Sequence, residues 1–258
     1  MSSKQTTQRL STVDNAMSLL ALFLKYESLG LIDIERETGV SKTAAFRLAT
    51  TMADRGFLVK DVKTKQYHLG PILFQLVYKL QVNDIVTISE PFIQELANLT
   101  NESIYLSIRS GYSYIFLSGV NSNYPVKVTS PFGDELELHL GAAGKLHMAY
   151  MAASHLKQYF KKTKLKTYNP TISMNEQLIQ KELEQIKEKG YSVSLGEAFP
   201  DSAGFSVPLW GLGEEPIAAL SILLPMTRIT TEKQHELINL LLTYSKQISN
   251  EYTLKKQT

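Results

Sequence analysis

Between Ile34 and Leu48 only Gly39, Val40 and Ser41 separate two short stretches that both read as helices. So brief a connection, with a glycine that permits a tight turn and a hydroxyl residue able to cap the second helix, makes the two helices cross steeply. That geometry is a helix-turn-helix. The helix before it is expected to be capped by Ser11 or Thr12 and to bury one stripe made of Val13, Ala16, Met17, Leu20, Ala21 and Leu24. After the Glu27-Ser28-Leu29-Gly30 turn, Leu31 and Ile32 lead into a segment from Asp33 to Thr38, with Asp33 as its cap and Ile34 as its core contact. The third helix is expected over Lys42 to Ala53.

The next stretch of chain adds a wing. Gly56 ends the helix, Phe57-Leu58-Val59 reads as a strand, Asp61 to Lys65 as a polar turn, and Gln66 to Leu69 as the returning strand. Lys60, Lys63 and Lys65 are placed on this hairpin to meet phosphates. On the third helix, Ser41, Lys42 and Thr43 occupy the leading edge and Arg47 lies one turn on; hydroxyls suit phosphate or base edges, and Arg suits guanine or phosphate. Phe46 has two readings, a cover for a thymine methyl or a closing residue of the small core. The helix start also offers unpaired backbone N–H groups to an anion. Charge is distributed in the matching sense: residues 1–70 hold ten Lys/Arg against seven Asp/Glu, whereas the remainder holds seventeen against eighteen.

Several classes are disfavoured by what the chain lacks. Without cysteine there is no disulfide, thiolate nucleophile, zinc finger or iron–sulfur site. No GxSxG, phosphate loop or HExxH occurs, so no catalytic residue, cofactor or metal is assigned. The five histidines, His68, His139, His147, His155 and His235, are scattered; His147 and His155 are spaced to share a helix face, and His139 reads as a structural residue. Lys145 reads as a surface lysine. No run of eighteen apolar residues exists and the first nine residues are polar, which points to a cytoplasmic protein with no membrane partner.

Beyond residue 70 the pattern changes. Pro71 suits a helix start, and Ile72, Leu73, Leu76, Val77 and Leu80 give a connecting helix one apolar stripe. Strands are expected at Ile104–Ile108, Tyr114–Leu117, Val126–Thr129, Tyr191–Leu195, Phe205–Trp210 and Ala218–Leu224. Helices are expected at Ser89–Leu99, Gly144–Phe160 and Asn175–Lys189, the last with a Ser173…Glu176 capping box, and from near Thr230, where Leu237, Leu240, Leu241, Tyr244 and Ile248 share a side. Six short strands without a βαβ rhythm predict an α+β fold, one antiparallel sheet flanked by helices behind the winged head. The expected division is 8–70 for the head, 71–87 for a linker helix and 88–252 for the second domain.

Taken together, Val13 to Leu20, Ile34 to Leu48, Gly56-Phe57-Leu58, Tyr67 to Gly70, Leu138-His139, Gly144-Lys145, Gly190-Tyr191, Val207-Pro208 and Ala218 to Ile222 resemble the IclR family of bacterial transcription regulators. The resemblance implies a winged head that binds a palindromic double-stranded DNA operator, with Ser41, Lys42, Thr43 and Arg47 at the DNA. It also implies a homodimer or a tetramer built as a dimer of dimers, and a second domain similar to GAF sensory domains that binds a small organic metabolite. Carried onto this chain, the effector pocket would use Pro125, Ala142, Ala143, Ser194, Gly204, Ser221 and Leu223. Members that sense small carboxylic acids often present an acidic residue, a cysteine and two serines where this chain has Ser194, Gly204, Ser221 and Leu223. Fewer fixed polar groups point to a larger or less charged effector. A metabolite-controlled repressor is therefore expected; the competing readings are an enzyme, a winged protein-interaction module, and a regulator whose pocket is merely filled core.

Overall fold

A computed structural model describes residues 10–79 and 82–257. The polar lead through Arg9, the first two residues of the expected 8–70 head, and Leu80 of the expected linker stripe lie outside the described residues. Two compact units part between Asn83 and Asp84.

The first unit holds α1 (Ser11–Leu22), α2 (Leu31–Thr38), α3 (Lys42–Asp54), strands β1 (Leu58–Lys60) and β2 (Tyr67–Leu69), and α4 (Pro71–Tyr78). Its core gathers Leu19, Leu29, Ile34, Ala45, Ala49, Met52, Leu58 and Tyr67. The buried face of α1 differs from the expected stripe: Leu19 is fully buried with Ala16, Leu20 and Phe23 packed beside it, while Val13, Met17 and Leu24 are exposed. Leu10, not Ser11 or Thr12, is the N-cap, and it makes no side-chain cap bond. Helix α2 begins two residues earlier than expected, because Asp33 caps from inside, its carboxylate accepting the Gly30 N–H at 3.0 Å. Gly39 sits in the left-handed region at φ 71° and turns the chain into α3, whose cap is Ser41, its Oγ accepting the Ala44 N–H at 3.3 Å.

In the second unit the six-stranded sheet runs β5-β4-β3-β8-β7-β6, every pair antiparallel. The strands are β3 (Ser103–Ser110), β4 (Ser113–Val120), β5 (Leu136–Glu137), β6 (Ser192–Leu195), β7 (Ser202–Trp210) and β8 (Pro216–Pro225). Around it pack α5 (Val82–Thr100), α6 (Gly141–Ala149), α7 (Ala153–Lys162), α8 (Glu176–Lys189) and α9 (Thr231–Gln257). Four expectations change. Residues 126–129 are not a strand; the sixth is the two-residue β5. The single helix expected from Gly144 to Phe160 is two helices, which places His147 on α6 and His155 on α7. The segment 71–87 is divided between α4, which ends at Tyr78, and the start of α5. The α8 cap is Asn175, whose side chain accepts the Leu178 N–H, and not Ser173.

Helix α6 lies against one sheet face and is buried along most of its length. Gly144 makes that approach possible: a Cβ there would stand 2.4 Å from the Leu138 carbonyl oxygen, a backbone atom that cannot yield. At the opposite end of the helix, His147 is buried and its Nε2 lies 3.0 Å from Ser107 Oγ of β3. Burial pulls its pKa down to about 3, so the ring is neutral.

Candidate functional site

On the head, every residue of the α3 leading edge faces outward. Ser41, Lys42, Thr43 and Arg47 are exposed, and Phe46 is 48% exposed, while Ala45 and Ala49 behind them are fully buried. Ser41 both caps and faces solvent: its oxygen accepts from Ala44, which leaves its O–H to donate outward. No acidic residue occupies the first turn of α3, so nothing there opposes an approaching phosphate. Neighbouring α2 is different, since its Arg36 is neutralised by Asp33 at 3.1 Å and Glu37 at 3.0 Å.

The wing is short and stiffened at its tip. Asp61 Oδ1 accepts the Lys63 and Thr64 N–H groups at 2.6 and 3.1 Å, which also holds its carboxyl below the usual range. Register Lys60↔Tyr67 brings the Lys60 ammonium to 5.4 Å from the Tyr67 ring centroid. Lys63 and Lys65 are exposed on the turn. Among the described residues no carboxylate pairs with Lys42, Arg47, Lys60, Lys63 or Lys65, and the head therefore presents five uncompensated cations.

The second unit holds a cavity of about 190 Å³ at the N-terminal end of α6, bounded by β4, β5, β6, β7, β8 and the loops around residues 130, 168 and 199. Of the seven residues expected in an effector pocket, the structure brings together Ala142, Ala143, Ser194, Gly204 and Leu223. Pro125 does not line it and lies exposed on the segment between β4 and β5. Nor does Ser221, which is fully buried and bonded to Ser206 Oγ at 2.7 Å. His139, expected to be structural, contacts Tyr159 Oη at 2.7 Å and the Lys166 carbonyl at 2.8 Å.

Four lining aromatics escaped the sequence reading: Tyr114, Phe116, Tyr168 and Phe199. Tyr114 is only 6% exposed, and its hydroxyl, like that of 4%-exposed Ser194, has no hydrogen-bond partner among the described residues. Burial pushes the Tyr114 pKa far up, so it is a neutral donor. The Tyr168 and Phe199 rings stack 5.3 Å apart at 10°, though both are exposed to solvent. Alternation along β4 would have marked Tyr114 and Phe116 as inward-facing; no local signal ties Tyr168 to Phe199.

Lys145, expected at the surface, is 1% exposed. Its ammonium pairs with Glu182 of α8, with Glu197 at 2.5 Å and with the Val193 carbonyl at 3.3 Å. Burial of a long cation is tolerated here because two carboxylates and a carbonyl replace its water. Glu197 belongs to the loop that carries Phe199, so this cluster fastens one wall of the cavity to α6. Thr167 Oγ1 donates to the Glu197 carbonyl at 2.8 Å and Asn169 Nδ2 to that of Gly196 at 2.7 Å, tying in the loop that carries Tyr168.

A winged helix-turn-helix with an outward recognition edge, together with a cavity-bearing α+β unit, defines a DNA-binding regulator. Residues 12–62 match the family model for the IclR helix-turn-helix domain, and residues 77–250 match that for the C-terminal domain of bacterial transcriptional regulators of the IclR type. The chain belongs to the IclR family and is a sequence-specific DNA-binding regulator. Similar proteins include the regulator KdgR of Dickeya chrysanthemi, 26% identical over 94% of this chain and 80% of that one. The regulator KipR of Bacillus subtilis is 28% identical over 82% of this chain and 84% of its own. An IclR homolog from Microbacterium hydrocarbonoxydans, crystallised with 4-hydroxybenzoate, shares the fold with a TM-score of 0.81 at 17% identity, over 93% of this chain and 98% of that one.

Proposed function

We propose that this chain is a metabolite-controlled repressor that grips a palindromic operator as a homodimer, α3 entering the major groove and the wing lysines bracing on phosphates. The observation that carries this reading is the exposed edge Ser41-Lys42-Thr43…Arg47, set on a packed three-helix core and flanked by cations that no carboxylate neutralises. One head covers a half-site, so a palindrome needs two. Exposed apolar side chains on α1 (Val13, Met17) and α4 (Phe74, Leu76) supply surface of the kind a second copy covers. Pairs of such dimers on one operator follow the family pattern.

The effector enters the α6 cavity. Against the roughly 300–1,000 Å³ of pockets for drug-sized ligands, 190 Å³ admits a small molecule. Its lining contains no Lys or Arg and includes Glu135 and Glu137, which disfavours a small dianion; Ser194 and the Ala142 and Ala143 N–H groups supply polar contacts. The repressor AllR of Escherichia coli, 25% identical over 80% of this chain and 76% of its own length, and the 4-hydroxybenzoate complex lend the reading support. Fluorescence anisotropy with the DNA upstream of the protein's own gene, at two salt concentrations, tests it. Saturable binding that weakens steeply with salt is expected; binding indifferent to salt or to sequence overturns it. Calorimetry that finds tight binding of a small dianion such as oxalate overturns the effector assignment.

A further inference from the structure

We propose that the exposed lysines of α7 and of the segment after it, Lys157, Lys161, Lys162, Lys164 and Lys166, form a second DNA surface that takes the sugar-phosphate backbone of the duplex flanking the operator. The proposal rests on the head holding the operator and goes beyond it by giving the second unit a sequence-independent contact of its own.

Charge in the second unit is segregated. Residues 138–175 contain six lysines and no Asp or Glu, whereas the rest of 84–258 holds ten Lys/Arg against eighteen Asp/Glu. A surface that serves solubility alone intersperses its signs. Lys145 is spent inside the fold on Glu182 and Glu197. The other five are exposed, and none is paired with a carboxylate among the described residues; Glu137, at the sheet edge, lies instead 3.7 Å from His139 Nε2. The negative end of α7 accounts for Lys161 and Lys162, which occupy its last turn. It does not account for Lys157, one turn earlier, or for Lys164 and Lys166 beyond the helix.

The composition of this face selects the partner. Tyr159 is buried and Leu156 and Phe160 are half-buried, so α7 turns Ser154, His155, Lys157, Gln158, Lys161 and Lys162 outward. No large apolar side chain between residues 153 and 166 is exposed. Protein interfaces centre on aromatic or apolar anchors and are depleted in lysine, so an acidic protein finds no anchor here. Phosphates need none: ammonium and hydroxyl donors suffice, and released counterions supply the free energy. Part of the face is also steadied. Tyr112 Oη donates to Gln158 Oε1 at 2.6 Å, and the Lys162 ammonium lies 5.4 Å from the Tyr112 ring centroid, a contact that orients the cation without neutralising it. Once the head is on its operator, flanking duplex is tethered to the same molecule, and a weak surface gains from the high local concentration.

Fluorescence anisotropy on the full-length protein over a salt series tests this with two probes. One is the shortest fragment of DNA upstream of the protein's own gene that binds; the other is that fragment extended on both sides by about two helical turns of unrelated sequence. One variant combines Lys157→Gln, Lys161→Gln and Lys164→Gln. A control for net charge combines Lys181→Gln, Lys187→Gln and Lys189→Gln on α8, where lysines are interspersed with glutamates. On the extended probe the first variant is expected to lose about tenfold or more in affinity and to flatten the plot of log affinity against log salt by at least about 2. On the short probe it should match wild type, and the control should match wild type on both. Circular dichroism and melting establish that both variants fold. Full affinity of the first variant for the extended probe overturns the proposal, and so does an equal loss in the control, which makes the effect one of net charge. An equal loss on both probes overturns the assignment to flanking DNA. A variant that keeps its DNA affinity but loses binding of a poly-glutamate peptide assigns the face to an acidic protein and overturns the proposal. Wild-type protein that binds no upstream fragment overturns the operator reading and this proposal with it; every other outcome leaves the role of the head standing.

Discussion

Replacing Lys145 with methionine keeps the length of the side chain and removes the one cation between Glu182 and Glu197. Breaking a buried pair by deleting one partner costs about 3–5 kcal/mol when the orphaned charge stays dry. Here Glu182 and Glu197 keep 35% and 20% side-chain exposure, so water recovers part of the loss and about 2–3 kcal/mol is expected. For a unit of this size that is a fall in Tm of about 4–12 °C, read by circular dichroism at pH 7. The pH dependence fixes the cause. Burial already raises the Glu182 pKa in the native protein, against the opposing pull of Lys145. Without the lysine the Glu182 carboxyl binds a proton more readily folded than unfolded, so its contribution is favourable at low pH and is lost as pH rises through the folded pKa. The deficit of Lys145→Met is therefore largest above neutral pH and shrinks as pH falls towards the carboxylate range. A deficit below about 1 kcal/mol, or one that grows on acidification, refutes the reasoning.

Other consequences are as direct. On the proposed dimer, Lys63→Gln with Lys65→Gln should remove up to four phosphate contacts and flatten the plot of log affinity against log salt by about 3–4; titration of operator binding over a salt series checks it. Gly144→Ala pushes a Cβ into the Leu138 carbonyl and should cost about 1–3 kcal/mol in urea denaturation. His147, with its pKa near 3 in the fold, binds a proton more readily unfolded, so stability falls as pH drops below about 6.5, by roughly 2 kcal/mol at pH 5; His147→Gln should remove most of that loss in denaturation curves at pH 7 and 5.

Much of the head was legible because its signals are local. Ser41 caps, Gly39 turns and Asp61 to Lys65 folds back within a few residues of the partners involved. The α1 stripe failed because Val13 and Met17 satisfy the same spacing rule as Ala16, Leu19, Leu20 and Phe23, and only tertiary packing selects between the two faces. Residues 126–129 carry strand-forming side chains, yet their segment is strapped by others: Arg228 donates to the Val126 carbonyl at 2.9 Å and the Ser130 N–H to Tyr105 Oη at 3.1 Å. The burial of Lys145 depends on carboxylates 37 and 52 residues away. No window of local sequence holds that information. The cavity was half legible, since alternation places Tyr114 and Phe116 inward while the closure by Tyr168 and Phe199 is a product of two loops meeting.

The proposed function puts recognition of sequence on the α3 edge, and the ratio of affinities for the operator and a scrambled duplex of equal length measures that directly. Arg47→Ala, verified as folded, should lower the ratio by about tenfold or more, as expected for loss of a base-reading arginine, while its affinity for the scrambled duplex falls far less. An unchanged ratio would contradict the assignment of α3 as the recognition helix.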